Sequence, residues 1–146
     1  MEQNPRKKIS TSRLLTMIRR ADSFREVTGL REMNQEPRFH EALYELMSKR
    51  GLDAKTMIRR TGIERAYFYH LLNGGKKPGR NVVLRIGLCL GSPLEEMNRL
   101  LRLAGVSELY ARRRRDAALI FAITHQYNME QANSLLTESG EDPLYT

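Results

Sequence analysis

Shifted against itself by 35 residues, the chain aligns Arg80-Asn81 with Arg115-Asp116 and stays in register to its C-terminus without insertion or deletion. Leu84, Glu95, Asn98, Leu100, Leu101, Gly105, Leu109 and Tyr110 recur unchanged as Leu119, Glu130, Asn133, Leu135, Leu136, Gly140, Leu144 and Tyr145. Small Gly87 corresponds to small Ala122 and apolar Leu94 to Met129, so the exchanges keep a pattern that packs two helices closely. A repeat of this length encodes one supersecondary unit, and its three- and four-residue apolar steps make that unit a helical hairpin. The helices 81–90 and 94–104 are thus the template for a second pair, 116–125 and 129–138. Stacked as solenoid repeats stack, the second pair extends the core of the first, with Leu109-Tyr110 and Leu144-Tyr145 as equivalent closing anchors.

The rest of the chain is helical too, because no run alternates apolar and polar residues long enough for a strand. Ser10 or Thr11 can cap a first helix carrying Leu14, Leu15 and Ile18. Asp22 or Ser23 can cap a second with Phe24 and Val27 inward, ending near Gly29. A polar break over 34–37 opens a helix in which Phe39, Leu43, Leu46 and Met47 share one face, stopped by Gly51. The expected fold is all-α in three parts: 1–35, a basic arm with two short helices; 36–110, the central domain; and 111–146, the second hairpin packed on the first.

Charge is unevenly placed along this chain. Residues 1–34 hold eight Lys/Arg against four Asp/Glu, residues 35–80 ten against five, and residues 81–146 seven against eight. No Lys or Arg follows Arg115, whereas Asp116, Glu130, Glu138, Glu141 and Asp142 do. A positive field concentrated in the first 80 residues and in 112–115 suits a polyanion. The acidic second hairpin suits a protein partner or a homodimer contact. A lone Cys89 in an apolar run reads as a small hydrophobe in a reducing compartment. No run approaches a membrane span and residues 1–20 lack the apolar core of a signal peptide, so a cytoplasmic location away from membranes is expected.

Between residues 52 and 80 two short helices flank a tight turn. Asp53 is a plausible N-cap, Gly62 supplies the positive φ of a sharp bend, and Met57, Ile63, Phe68 and Leu71 are spaced to pack between the helices. The residues Gly51-Leu52-Asp53-Ala54, Met57-Ile58, Gly62-Ile63-Glu64, Asn73-Gly74, Pro78 and Gly87-x-x-Leu90-Gly91 resemble, in order and spacing, the lambda-repressor-like or XRE-type helix-turn-helix domains. The resemblance runs from Phe39 to Gly91. Ala54 stands where that family carries a phosphate-touching Gln, Ile58 where it carries a tight-packing Ala, and Glu64 where it carries a capping Ser or Thr.

The resemblance implies sequence-specific binding of double-stranded DNA by a repressor-like transcriptional regulator, with the helix 64–73 in the major groove. Its outward residues then meet base edges: Arg65 on guanine, Glu64 on cytosine N4, Ala66 on a thymine methyl, and Tyr69 and His70 beside them. Asn73, Lys76, Lys77 and Arg80, on the turn that follows, would hold backbone phosphates. Tyr67, Phe68 and Tyr69 are not a stacking platform, since consecutive helical residues point apart. Arg6, Lys7 and Lys8 form an arm able to enter a minor groove.

Catalysis, metals and cofactors are not expected. His40, His70 and His125 are far apart in sequence, no metal-ligand spacing occurs, and Gly74-Gly75-Lys76-Lys77 lacks the order and the preceding strand of a P-loop. The rival to a DNA binder is a helical adaptor, antitoxin-like, that uses the same fold to hold another protein.

Overall fold

The computed structural model describes residues 10–28 and 36–146, and among the described residues every regular element is an α-helix. Residues 1–37 and 38–146 form two compact units. In the first, α1 (Thr11–Arg20) starts at Ser10, whose hydroxyl accepts the Arg13 N–H at 3.2 Å, and α2 (Phe24–Thr28) follows and packs on α1. Helix α1 buries none of its residues. Phe24, expected inward, is 71% exposed: α1, on which α2 packs, buries none of its own residues and gives the ring no apolar interior to enter. The side chain of Val27, Gly29 and the Arg6-Lys7-Lys8 arm lie outside the described residues.

The second unit runs through α3 (Phe39–Lys49), α4 (Ala54–Thr61), α5 (Arg65–Leu72), α6 (Arg80–Leu90), α7 (Leu94–Leu103), α8 (Arg114–Thr124) and α9 (Met129–Glu138). Phe39, Leu43, Leu46 and Met47 bury one face of α3 against α5 and α7, and Arg50 at its end pairs with Glu96 at 2.7 Å. The core continues without a break through Phe68, Leu84, Leu100 and Leu101 into Leu119 and Leu136. The second hairpin therefore shares one hydrophobic interior with the first.

The two hairpins repeat the same bonds. Arg80 donates from Nε to the Ser107 carbonyl at 3.0 Å and from Nη2 to the Glu108 carbonyl at 3.0 Å. Its counterpart Arg115 donates from Nε to the Asp142 carbonyl at 2.9 Å and from Nη2 to the Pro143 carbonyl at 3.4 Å. Asn98 Oδ1 accepts the Leu109 N–H at 2.9 Å, as Asn133 Oδ1 accepts the Leu144 N–H at 2.6 Å. Even the helix stop is copied: Gly91 at φ +71° has Gln126 at φ +57° as its equivalent, a left-handed conformation that a non-glycine residue rarely adopts.

Between the hairpins, α6 packs on α9 and α7 on α8, Arg80 bonds Asp116, and Arg115 bonds Asn81. Swapping the two copies carries each contact into the other, which is the property of a two-fold axis. In an open stack, Arg115 would reach instead toward a third copy. The hairpins thus meet face to face in a closed, isologous pair rather than the solenoid stack expected from the shift alone.

Close approach of α6 and α7 rests on Gly87. A Cβ there would overlap the Met97 sulfur and methyl, in a place where Met97 is fully buried. The second hairpin fills the same two positions with Ala122 and Ala132, a small pair instead of a glycine and a large side chain. Gly87→Ala is expected to cost about 1–3 kcal/mol by overpacking. Adding Met97→Ala should give a chain more stable in urea melts than the sum of the two single losses; strict additivity would mean that the two side chains do not compete for space.

Candidate nucleic-acid interface

Helices α4 and α5 are joined by a turn braced from three sides. Asp53 caps α4, its carboxylate accepting the Thr56 N–H at 2.8 Å, and hydrogen bonding from the Thr56 side chain, then from its backbone N–H, holds the Asp53 pKa below the ordinary aspartate value. Gly62 ends α4 at φ +68°, where a side chain would be strained. Buried Thr61 donates its hydroxyl to the Met57 carbonyl at 2.7 Å and accepts the Ile63 N–H at 3.2 Å. From α6, Arg85 donates to the Thr61 carbonyl through Nε at 3.2 Å and Nη2 at 2.5 Å, and it lies 5.4 Å from the centre of the Tyr145 ring. The last turn of the second hairpin is thereby tied to the α4–α5 bend.

Below the turn, Met57, Ile63, Phe68 and Leu71 close the space between the two helices, all buried. Phe68 is wholly inside while its neighbour Tyr69 is 40% exposed, so the three consecutive aromatics do not form one stacking face. The outer side of α5 is a contiguous strip of exposed Glu64, Arg65, Ala66, Tyr69 and His70. Arg65 stands 5.7 Å over the Tyr69 ring, a cation–π contact that holds the guanidinium along the helix instead of leaving it free. Glu64 precedes the helix without a side-chain capping bond, so its carboxylate is available at the surface.

The strip continues into the turn 73–79. Asn73 Oδ1 accepts the Gly75 N–H at 3.0 Å and shapes the bend, with its amide N–H groups still unused by that bond. Exposed Lys76 lies 6.0 Å over the Tyr67 ring, and Lys77 is exposed beside it. Arg80, expected on a phosphate, is engaged elsewhere. Four of its five N–H donors go to the Asp116 carboxylate at 2.8 and 2.9 Å and to the Ser107 and Glu108 carbonyls. Burial pushes the Asp116 carboxyl up, but the Arg80 bonds, the Tyr110 backbone N–H and the Arg113 charge outweigh it and hold the carboxyl below the usual range.

His40 and His70, 30 residues apart in sequence, both border this turn: a Cβ on Gly74 would meet the His40 ring at 2.8 Å, and one on Gly75 would meet His70 Nδ1 at 3.5 Å. His125 belongs to a different place, stacked 4.1 Å from the Phe121 ring centre on α8. Cys89 is half-buried and burial raises its thiol to about 11, which leaves it protonated and unreactive at neutral pH.

Arg85 and Thr61 brace the turn and His40 lies beside Gly74, three placements that the sequence reading did not include. A readable signal existed only for Arg85, the one charge within the otherwise apolar run 82–90. Among the described residues, no helix is long and apolar enough to cross a membrane. No protein-family model, curated protein or solved structure matches the chain.

Proposed function

We propose that α4, the Gly62 turn and α5 act as a lambda-repressor-like helix-turn-helix that binds double-stranded DNA in a sequence-specific way, and that the protein is a repressor-like regulator of transcription rather than an enzyme. The observation that carries this reading is the exposed strip Glu64, Arg65, Ala66, Tyr69 and His70 on a rigidly braced helix, followed directly by the exposed Lys76 and Lys77. A helix presented this way can enter the major groove, about 12 Å wide, with its first turn against base edges. Arg65 is assigned to guanine O6 and N7. Asn73, Lys76 and Lys77 are assigned to phosphates, which set register without reading sequence. Arg80 has no part in this contact.

The division of roles is testable on duplexes that the wild-type protein enriches from a random library. Lys76→Ala with Lys77→Ala should weaken binding to every duplex alike and make the dependence of log affinity on log salt shallower by about 1.8. Arg65→Ala should lose roughly 1–3 kcal/mol of discrimination at one base pair, leaving its substitutes nearly equivalent. Uniform loss on every sequence from both changes would remove Arg65 from base reading.

A further inference from the structure

We infer that Arg112 and Arg113, ahead of the second hairpin, form another phosphate-binding arm, so that the duplicated hairpin lengthens the protein's footprint on duplex DNA. The inference rests on the DNA-binding reading of α5 given above. It starts from how the four-arginine run 112–115 is divided. Arg115 is consumed by Asn81 and by the Asp142 and Pro143 carbonyls, and Arg114 pairs with Glu141 at 3.6 Å. Arg112 and Arg113 are exposed, with no side-chain hydrogen bond or ion pair among the described residues.

Their place follows from the two-fold arrangement. Lys77 stands three residues before Arg80, and Arg112 three residues before Arg115. Arg80 and Arg115 are anchored by equivalent carbonyls, so the axis that relates the hairpins also relates the two basic arms. The Arg80–Asp116 and Arg115–Asn81 bonds hold the starts of α6 and α8 together, which brings both arms to one end of the unit. Lys77 follows the α5 strip, and Arg112 with Arg113 carries the equivalent positive charge across the axis. Exposed guanidiniums that make no side-chain hydrogen bond or ion pair can take phosphate oxygens in the bidentate manner for which arginine is suited, although the Arg113 charge also acts on nearby Asp116.

The test uses the full chain with Arg112→Ala and Arg113→Ala, the enriched duplex and a mixed-sequence duplex, titrated over about 50–200 mM salt. The salt dependence should become shallower by about 1.8, since each phosphate contact contributes about 0.9. The hydroxyl-radical footprint should shorten at one end, base preference should stay the same, and Arg112→Lys with Arg113→Lys should restore the slope. An unchanged slope and footprint, with wild-type protein binding its preferred duplex, would overturn this inference alone. Absence of any duplex binding by wild type would overturn it together with the function proposed for α5.

Discussion

Asp116→Ala is expected to destabilise the protein by about 3–5 kcal/mol, because it leaves the Arg80 guanidinium half-sheltered with no counter-charge. Asp116 is 2% exposed, and its two oxygens serve Arg80 and the Tyr110 N–H together, so one substitution opens both the joint between hairpins and the end of the α7–α8 connection. In a chain of 146 residues this corresponds to a melting temperature lower by on the order of 10 °C. The pH dependence has a definite sign. The folded carboxyl titrates below its unfolded value of about 3.9, so its contribution is complete above that pH and is lost as the pH falls through the lower folded value. Replacing both partners with apolar residues, Arg80→Met with Asp116→Leu, should recover much of the loss, because it removes the desolvated charge as well as its partner. A single-mutant loss under about 1 kcal/mol would mean that the pair is solvated and that apolar contacts alone hold the hairpins together.

Phe68→Ala should cost a similar amount, about 3–5 kcal/mol, by emptying the centre of the α4–α5 interface. Phe68 is fully buried in the same hydrophobic cluster as Met57 and Leu71, so its removal empties space that close-packed neighbours fill only in part. Tyr69→Ala, one residue on, should change stability by less than about 1 kcal/mol, since it removes surface area and a cation–π contact only. Urea unfolding of the two variants separates these roles. Equal losses would place both rings in the core and withdraw Tyr69 from the strip offered to DNA.

Much of this arrangement was legible in the residues because local chemistry decided it. Asp53, Gly51 and Gly62 mark helix ends through a capping carboxylate and two left-handed turns, and each acts at its own position. The face of α3 follows from apolar spacing that packing then honours. Information carried by distant partners was not legible. Arg80 follows Lys76-Lys77-Pro78-Gly79 and reads as one more basic turn residue, yet its partner Asp116 lies 36 positions away. A 35-residue shift is equally compatible with translation and with rotation, so only the exchanged bonds of Arg80 and Arg115 separate a stack from a two-fold pair. Phe24 failed for the opposite reason: inward spacing has meaning only where there is something to face.

For the candidate site, periodicity placed the strip on α5 because Phe68 and Leu71 fix which side is inside. It did not show that the Asn73 side chain also shapes the turn, nor that His40 on α3 lies beside Gly74.

The central claim is that α5 reads base sequence in duplex DNA, and selection from a random duplex library with the full chain at about 0.15 M salt tests it most directly, since nonspecific charge attraction is then partly screened. The account predicts an enriched motif whose strongest position is a guanine that Arg65→Ala no longer prefers. Recovery of duplexes without any shared sequence would contradict it and leave the adaptor reading, with the strip on α5 facing a protein instead.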